Sequence, residues 1–514
     1  MTQSVMRDVI VIGGGPGGAA VATLLTSQGH DVALLTRPTP TVAWLAESIP
    51  ASARKLLIQV GALEAVEAAR FIPNEGNMVW WAGGPERLEQ FPRGQSGFHV
   101  DRGGLEGALL DLANKVGTFV YSDAPVRSVT KEPEGWHVEA GTSTHRARWV
   151  LDASGRSGVV ARHDMRIRER DTTTLALVGQ WEDTAPDAED PSLTLVESYK
   201  DGWAWSVPTS ETTRCVTVMV DPRRTEMRRE LGLDGMLRSE LAKAHQLSDR
   251  LSRGRVIGST RACAASVYGA SKFGQPGLLL VGDAGSAIDP LSSYGVKKAL
   301  SSAWLAAVVV HTALSDETMA NTAIDFFDAR EKEVYETYRA RSVPFLEEAM
   351  DAHGHAFWEA RAIAARAASG TESKHVHDET VDDPYDRANA EREAEKFVGD
   401  PVVRTVYEEI RTRPNIALQP GPTLGITTKP AVVGNQIALE PHLTSKRLPQ
   451  GTRFIRNVDL RRLVELGPHQ TQVPDFFSAY NAAGTPVDLA DFLAALAATV
   501  GAGFLKLDEL PNEN

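Results

Sequence analysis

Hydrophobic positions open the chain with a short apolar run, "DVIVI" (8–12). Glycines interrupt it, and "PGGAAVATLLTS" (16–27) then places apolar residues at helical spacing up to Gly29. "DVALL" (31–35) is the next apolar run and ends at Thr36 and Arg37. Strand, helix, strand at the start predicts a parallel sheet with helices on its faces. Residues 45–70 read as helical, 76–98 as strand and turn, and 102–117 as an amphipathic helix. Residues 118–155 read as short strands that close on a buried strand at 148–153. From 172 to 268 most segments are of β type ("TLALVGQW", "LTLVESY", "GWAWSVP", "RCVTVMVD"), broken by a charged helix at 222–248. Residues 277–310 return to strand, loop and long helix.

This pattern predicts an α/β fold with an antiparallel sheet inserted into a parallel one. The parallel-sheet domain is discontinuous (1–70, 100–171 and 269–345), and the inserted β-sheet domain takes 71–99 and 172–268. A helix and linker follow at 346–396, whose polar stretch 368–396 has few apolar residues. Residues 397–514 read as a separate, mostly helical module: three helices and a short strand, in a winged-helix-like order. No internal repeat is present.

Composition narrows the function. A net charge of −13 over 514 residues excludes a general nucleic-acid binder and disfavours an anionic membrane surface. The third helix of the last module, 486–501, has no Lys or Arg. Cys215 and Cys263 make neither a disulfide framework nor a metal set, which fits a reducing cytoplasm. The pairs His353–His355 and His375–His377 read as solvated polar residues, so no metal is expected. No secretory signal pattern opens the chain, and "SAWLAAVVVHTAL" (302–314) is too short to span a bilayer, so it reads as a buried helix.

The candidate chemistry begins at Gly13, Gly15, Pro16 and Gly18. In G-x-G-x-x-G the first glycine permits the turn, the second lets backbone approach a pyrophosphate, and the third lets helix and strand pack closely. The acid that would hold a ribose at the end of the second strand is replaced by Thr36. Thr36 and Arg37 can still bond ribose, phosphate or adenine.

With "DASG" (152–155) and "VGDAGSAIDPLSSYGV" (281–296), the chain resembles the flavoprotein monooxygenases of the p-hydroxybenzoate-hydroxylase fold, over about residues 6–345. Within them it most resembles the flavin-dependent halogenase branch. The resemblance implies a glutathione-reductase-type FAD-binding domain, with the inserted sheet as the substrate-binding domain. It implies FAD held by the glycine turn, with Arg102 near its phosphates or ribose and Val126 near the adenine. It places Asp283 at the ribitol, and Ser48 of "AESIP" beside the flavin. Pro290, Gly295 and Val296 shape the helix start that faces the isoalloxazine.

"GWAWSVP" matches the branch's W-x-W-x-I-P strand, so Trp203 and Trp205 are expected to wall the active site. The branch's lysine, in Phe-x-x-Lys-x-Gly, is replaced here: the stretch Phe71–Gly76 has Asn74, and no lysine occurs between Lys55 and Lys115. Ser292 stands where tryptophan halogenases carry Glu, and Tyr294 where a small residue borders the halide. The resemblance therefore implies that reduced FAD and O2 form a C4a-hydroperoxide whose own oxygen attacks an indole or phenol. Glu47, Glu75 and His99 are the proton-handling candidates; Asn74 and Tyr294 are candidate polar contacts. Electrons would come from a partner flavin reductase or from NAD(P)H. The last module would be a packing element or would recognise a peptide- or carrier-bound substrate. Two alternatives are a halogenase using Lys297 or Lys298, and a non-catalytic FAD-containing partner protein.

Overall fold

A computed structural model describes residues 5–38, 45–169, 172–182, 192–368, 397–412 and 415–508. The chain divides into two compact units, Met1–Val381 and Asp382–Asn514. The polar stretch expected as a linker lies, from 369 on, outside the described residues, as do His375 and His377.

In the first unit the apolar runs at 6–12 and 32–35 become parallel neighbours, Met6–Ile12 and Val32–Leu35. The opposite side of Met6–Ile12 pairs in parallel with Ser143–Asp152, which in turn pairs with Leu278–Leu280. Chain connections thus leave Met6–Ile12 to both sides, and the crevice this opens lies at the carboxyl ends of the strands. An antiparallel meander, Val126–Glu132 and Gly135–Ala140, continues into Ser143–Asp152.

The inserted sheet has seven strands in the order Arg255–Ala264, Leu175–Glu182, Thr213–Val220, Gly202–Pro208, Leu193–Tyr199, Gly76–Trp80 and Arg87–Gln90. Alternation along these strands gives it two apolar faces. One face, with Leu177, Ala204, Val216 and Val218, packs with Met236, Leu237 and Leu241 of helix Gly232–Leu241 and with Leu247 and Leu251 of helix His245–Leu251. The other, with Val178, Trp203, Val207 and Cys215, packs with Leu346, Ala349, Phe357 and Trp358.

Four expectations change. The inserted sheet is mixed: Leu193–Tyr199 and Gly76–Trp80 run parallel, and its other neighbours antiparallel, because residues 76–90 join the sheet from an earlier stretch of the chain. Residues 46–49 are not helical: Ala46–Ile49 is a strand, paired with Gly97–Asp101, which also pairs Ile72–Asn74. Its partner lies some fifty residues on, beyond the reach of local periodicity. The charged segment 222–248 is a short turn followed by the two helices named above. The apolar helix of 302–314 is longer than read, Gly295–Ser315, and is long and apolar enough to cross a membrane; 72% of its apolar window is buried in the fold.

The second unit has its own core around Ile410, Leu463, Phe476, Tyr480, Phe492 and Leu496. Four helices are described, one more than expected (Pro401–Thr412, Leu460–Leu466, Val473–Ala482, Leu489–Gly501), and the closing strand Leu505–Leu507 pairs back to Leu418–Pro420. A hairpin, Gly425–Val433 with Gln436–Thr444, lies between the first helix and the last three, whereas a winged helix carries its hairpin after its helices.

Candidate active site

The glycine turn follows from close approach. Gly13 has φ +106°, and a Cβ there would lie 2.5 Å from the Ala153 carbonyl oxygen; a Cβ on Gly18 would overlap the Gly13 carbonyl. Above Gly15 there is space, bounded by Arg102 and Glu106, both more than 3.5 Å from a Cβ built there. Pro16 opens helix Pro16–Ser27 at its first position, where its missing N–H costs nothing.

Thr36 is the hub at the end of the second strand. Its hydroxyl accepts from the Gly14 N–H (3.1 Å), its N–H donates to the Tyr121 carbonyl, and its carbonyl accepts from Ala124. That side chain fastens the glycine turn itself. Arg37 is exposed and donates to Ser157 Oγ (3.2 Å), while Val126 begins strand Val126–Glu132.

Arg102 opens helix Arg102–Lys115, which Asp101 caps. Its Nε donates to Glu106 (2.7 Å) and one terminal nitrogen to Glu47 (2.6 Å). The other terminal nitrogen is the one near Gly15. Burial by itself would lower the Arg102 pKa; the two carboxylates outweigh it and raise it, so the guanidinium stays charged. Glu47 therefore holds the guanidinium of Arg102 and does not stand free as a base. Glu75 is exposed. His99 is buried with Nε2 3.0 Å from the Ser192 carbonyl.

Asn74 is 1% exposed. Its amide donates to Ser48 Oγ (2.8 Å) and to the Ile49 carbonyl (3.1 Å), and its carbonyl oxygen accepts from the Gly76 N–H. Ser48 also accepts from the Thr194 hydroxyl (2.8 Å). Asn74 and Ser48 thus form a strut between the small sheet and the inserted one, and the Asn74 amide is directed inward.

The loop before helix Gly295–Ser315 turns at Pro290–Ser292, with Asp289 accepting from the Leu291 N–H, and Ser293 takes φ +53°. Tyr294 precedes the helix without a capping side-chain bond, and a Cβ on Gly295 would meet only open space. An uncapped helix start with a clear approach is a site for a partly negative group. Val296, next in the helix, is buried. The half-buried Tyr294 ring lies 5.4 Å from that of Tyr338. Asp283 lies at the same crevice. Its carboxylate oxygens face Arg156 Nε and Lys298 Nζ, each at 3.8 Å. Among the described residues no donor comes within hydrogen-bond distance of it, which leaves its lone pairs for ligand hydroxyls. Backbone space at Gly15 and Gly295, a charged Arg102 and an acceptor at Asp283 fit FAD.

Trp203 and Trp205 point to one face of the inserted sheet and stack at 4.9 Å. Trp203 is buried and Trp205 half-buried; they share an apolar cluster with Ala46 and Leu291 from the two flavin-side segments. Sequence reading missed the rest of this wall. Trp81 packs edge-on against Trp203 (6.4 Å), Trp358 (5.4 Å) and Phe345. Trp358 donates to the Tyr199 carbonyl (3.0 Å). The adjacent pair Trp80–Trp81 was the available signal, but nothing local ties it to residue 358.

The profile of a family described as a FAD binding domain matches residues 6–336, nearly two thirds of the chain. The chain belongs to this family. Halogenases are among the proteins it is similar to. A tryptophan 2-halogenase from Chondromyces crocatus is 30% identical over 338 residues, covering 62% of this chain and 64% of that protein. The flavin-dependent halogenase CmlS has the same fold, with TM-score 0.72 at 20% identity, over 99% of this chain and 97% of its own. The peptidyl tryptophan dihydroxylase QhpG also shares it, with TM-score 0.65 at 20% identity, over 97% and 99%. The glycine turn, Arg102 and Asp283 therefore lie in a domain whose family is described as binding FAD.

Proposed function

We propose that this protein is an FAD-dependent monooxygenase that hydroxylates an electron-rich aromatic ring, an indole or a phenol, in a biosynthetic or peptide-maturation pathway. The observation that carries the reading is Asn74. It stands where the branch has its halogen-directing lysine, and its amide is spent on Ser48 and Ile49. The lysines of the helix start are committed elsewhere: Lys297 Nζ donates to Ser52 and Lys298 Nζ to the Ser286 carbonyl.

Reduced FAD, with O2, supplies the electrophilic oxygen. Trp203, Trp205 and the indoles behind them exclude water from the substrate side, and half-buried Trp205 offers a flat apolar wall for an aromatic ring. Tyr294 is the polar contact for the substrate. Glu75 and His99 stay as the candidates for accepting the ring proton, while Glu47 serves the cofactor through Arg102. Electrons come from a partner flavin reductase or from NAD(P)H, in the cytoplasm. Similarity to QhpG along nearly the whole chain supports a substrate presented on a peptide, with residues 397–514 as the recognising module.

Halogenation is the second reading, favoured by the 30% identity to a tryptophan 2-halogenase. One assay separates the two: protein with reduced FAD, O2 and bromide against indoles, phenols and tryptophan-containing peptides, read by mass spectrometry. Gain of one oxygen is expected. A brominated product overturns the hydroxylase reading, and flavin reoxidation without any modified product favours a non-catalytic partner protein.

A further inference from the structure

Lys298 sits in the first turns of helix Gly295–Ser315 and is 0% exposed. Among the described residues it has two partners. Its Nζ donates to the Ser286 carbonyl at 2.7 Å and lies 3.8 Å from an Asp283 carboxylate oxygen, beyond hydrogen-bond length. An ammonium taken out of water costs several kcal/mol unless close partners repay it. One carbonyl and one offset carboxylate, which Arg156 also faces from its other side, are a poor return.

Packing does not call for the charge either. The same helix presents Val296, Leu300, Ala303 and Ala307 to the core, and Met or Leu would fill a similar space. What the charge has is its position. Asp283 follows strand Leu278–Leu280, whose neighbour ends beside the glycine turn, and the uncapped start of the same helix faces the crevice. The helix dipole and the lysine therefore bring positive potential to the crevice together.

We infer that Lys298 is an electrostatic positioning residue that raises the reduction potential of FAD bound in this crevice. Two-electron reduction with uptake of one proton adds one negative charge to the isoalloxazine. A fixed cation in a region of low dielectric favours that reduced form over the neutral oxidised one. Its bond to Ser286 and its attraction to Asp283 keep the carboxylate in place without occupying its lone pairs. The inference rests on FAD binding here and is indifferent to which group the enzyme transfers, so it stands or falls apart from the hydroxylase reading.

The test is a dye-referenced reductive titration of the FAD-loaded full chain, followed by flavin absorbance, with the Tm of each protein measured in parallel. Lys298→Met is expected to lower the midpoint by at least about 30 mV, tenfold in the two-electron equilibrium. Lys298→Gln, which keeps a donor for the Ser286 carbonyl, is expected to lower it equally and stands in if the methionine variant does not retain FAD. Lys298→Arg is expected to hold the wild-type midpoint. Neutral variants with a reduced Tm and an unchanged midpoint overturn the inference and make Lys298 a packing residue.

Discussion

At Gly18 a single methyl group decides whether the cofactor turn exists. A Cβ there overlaps the Gly13 carbonyl backbone, so no rotamer relieves it. Gly18→Ala is expected to abolish FAD retention, read as the flavin-to-protein absorbance ratio after purification. Arg102 is a different kind of residue: its fork is pre-organised by Glu47 and Glu106 with one nitrogen directed at the turn. Arg102→Gln is expected to weaken FAD binding by about 1.5–3 kcal/mol, the usual worth of a charged hydrogen bond. Flavin fluorescence titration measures it. Asn74→Ala removes a buried amide that ties two sheets, so it is expected to cost about 1–3 kcal/mol of stability in urea unfolding. The glycine turn was legible in the sequence because its stereochemistry is local. The roles of Glu47 and Asn74 were not. Each is set by a partner 25–60 residues away, and an acid beside a flavin motif carries no mark of being already paired.

Two elements joined late in the chain hold the first unit together. His30 follows the first helix and His311 lies near the end of Gly295–Ser315; their ring nitrogens are 2.9 Å apart. Burial, then the charge of His311, pulls the His30 pKa below its ordinary 6.5, and burial does the same to His311. A group whose folded pKa is depressed lends stability above its unfolded value and loses it as pH falls from there through the folded value. Between about pH 7 and about pH 5 the wild-type Tm is therefore expected to fall more steeply than that of His311→Gln. Equal slopes in paired thermal melts would leave the histidine pair without a stabilising role. The tryptophan wall is likewise an assembly of elements. The family match ends at residue 336, yet Phe345, Phe357 and Trp358, which back Trp203 through Trp81, come after it. Periodicity could mark those residues as buried helix faces; it could not say which sheet they cover.

For the molecule as a whole, all ten tryptophans precede residue 382, so indole fluorescence reports the first unit alone. FAD that binds only the folded first unit stabilises it by about 2.7 kcal/mol at a free concentration one hundred times Kd. The fluorescence-detected Tm is expected to rise with FAD accordingly, and a Tm insensitive to FAD would place the cofactor elsewhere. Sequence alone determined the α/β class, the glycine turn, an inserted sheet that is antiparallel but for one pair, and the absence of lysine between Lys55 and Lys115. Those rest on periodicity and short motifs, which local stereochemistry enforces. Tertiary structure alone decided that Glu47 holds Arg102, that Asn74 is a strut, that Trp203 and Trp205 are two members of a larger indole cluster, and that Lys298 is buried beside Asp283. Those depend on which distant segments pack together and on what burial does to a charge. Neither is written in the spacing of any one stretch.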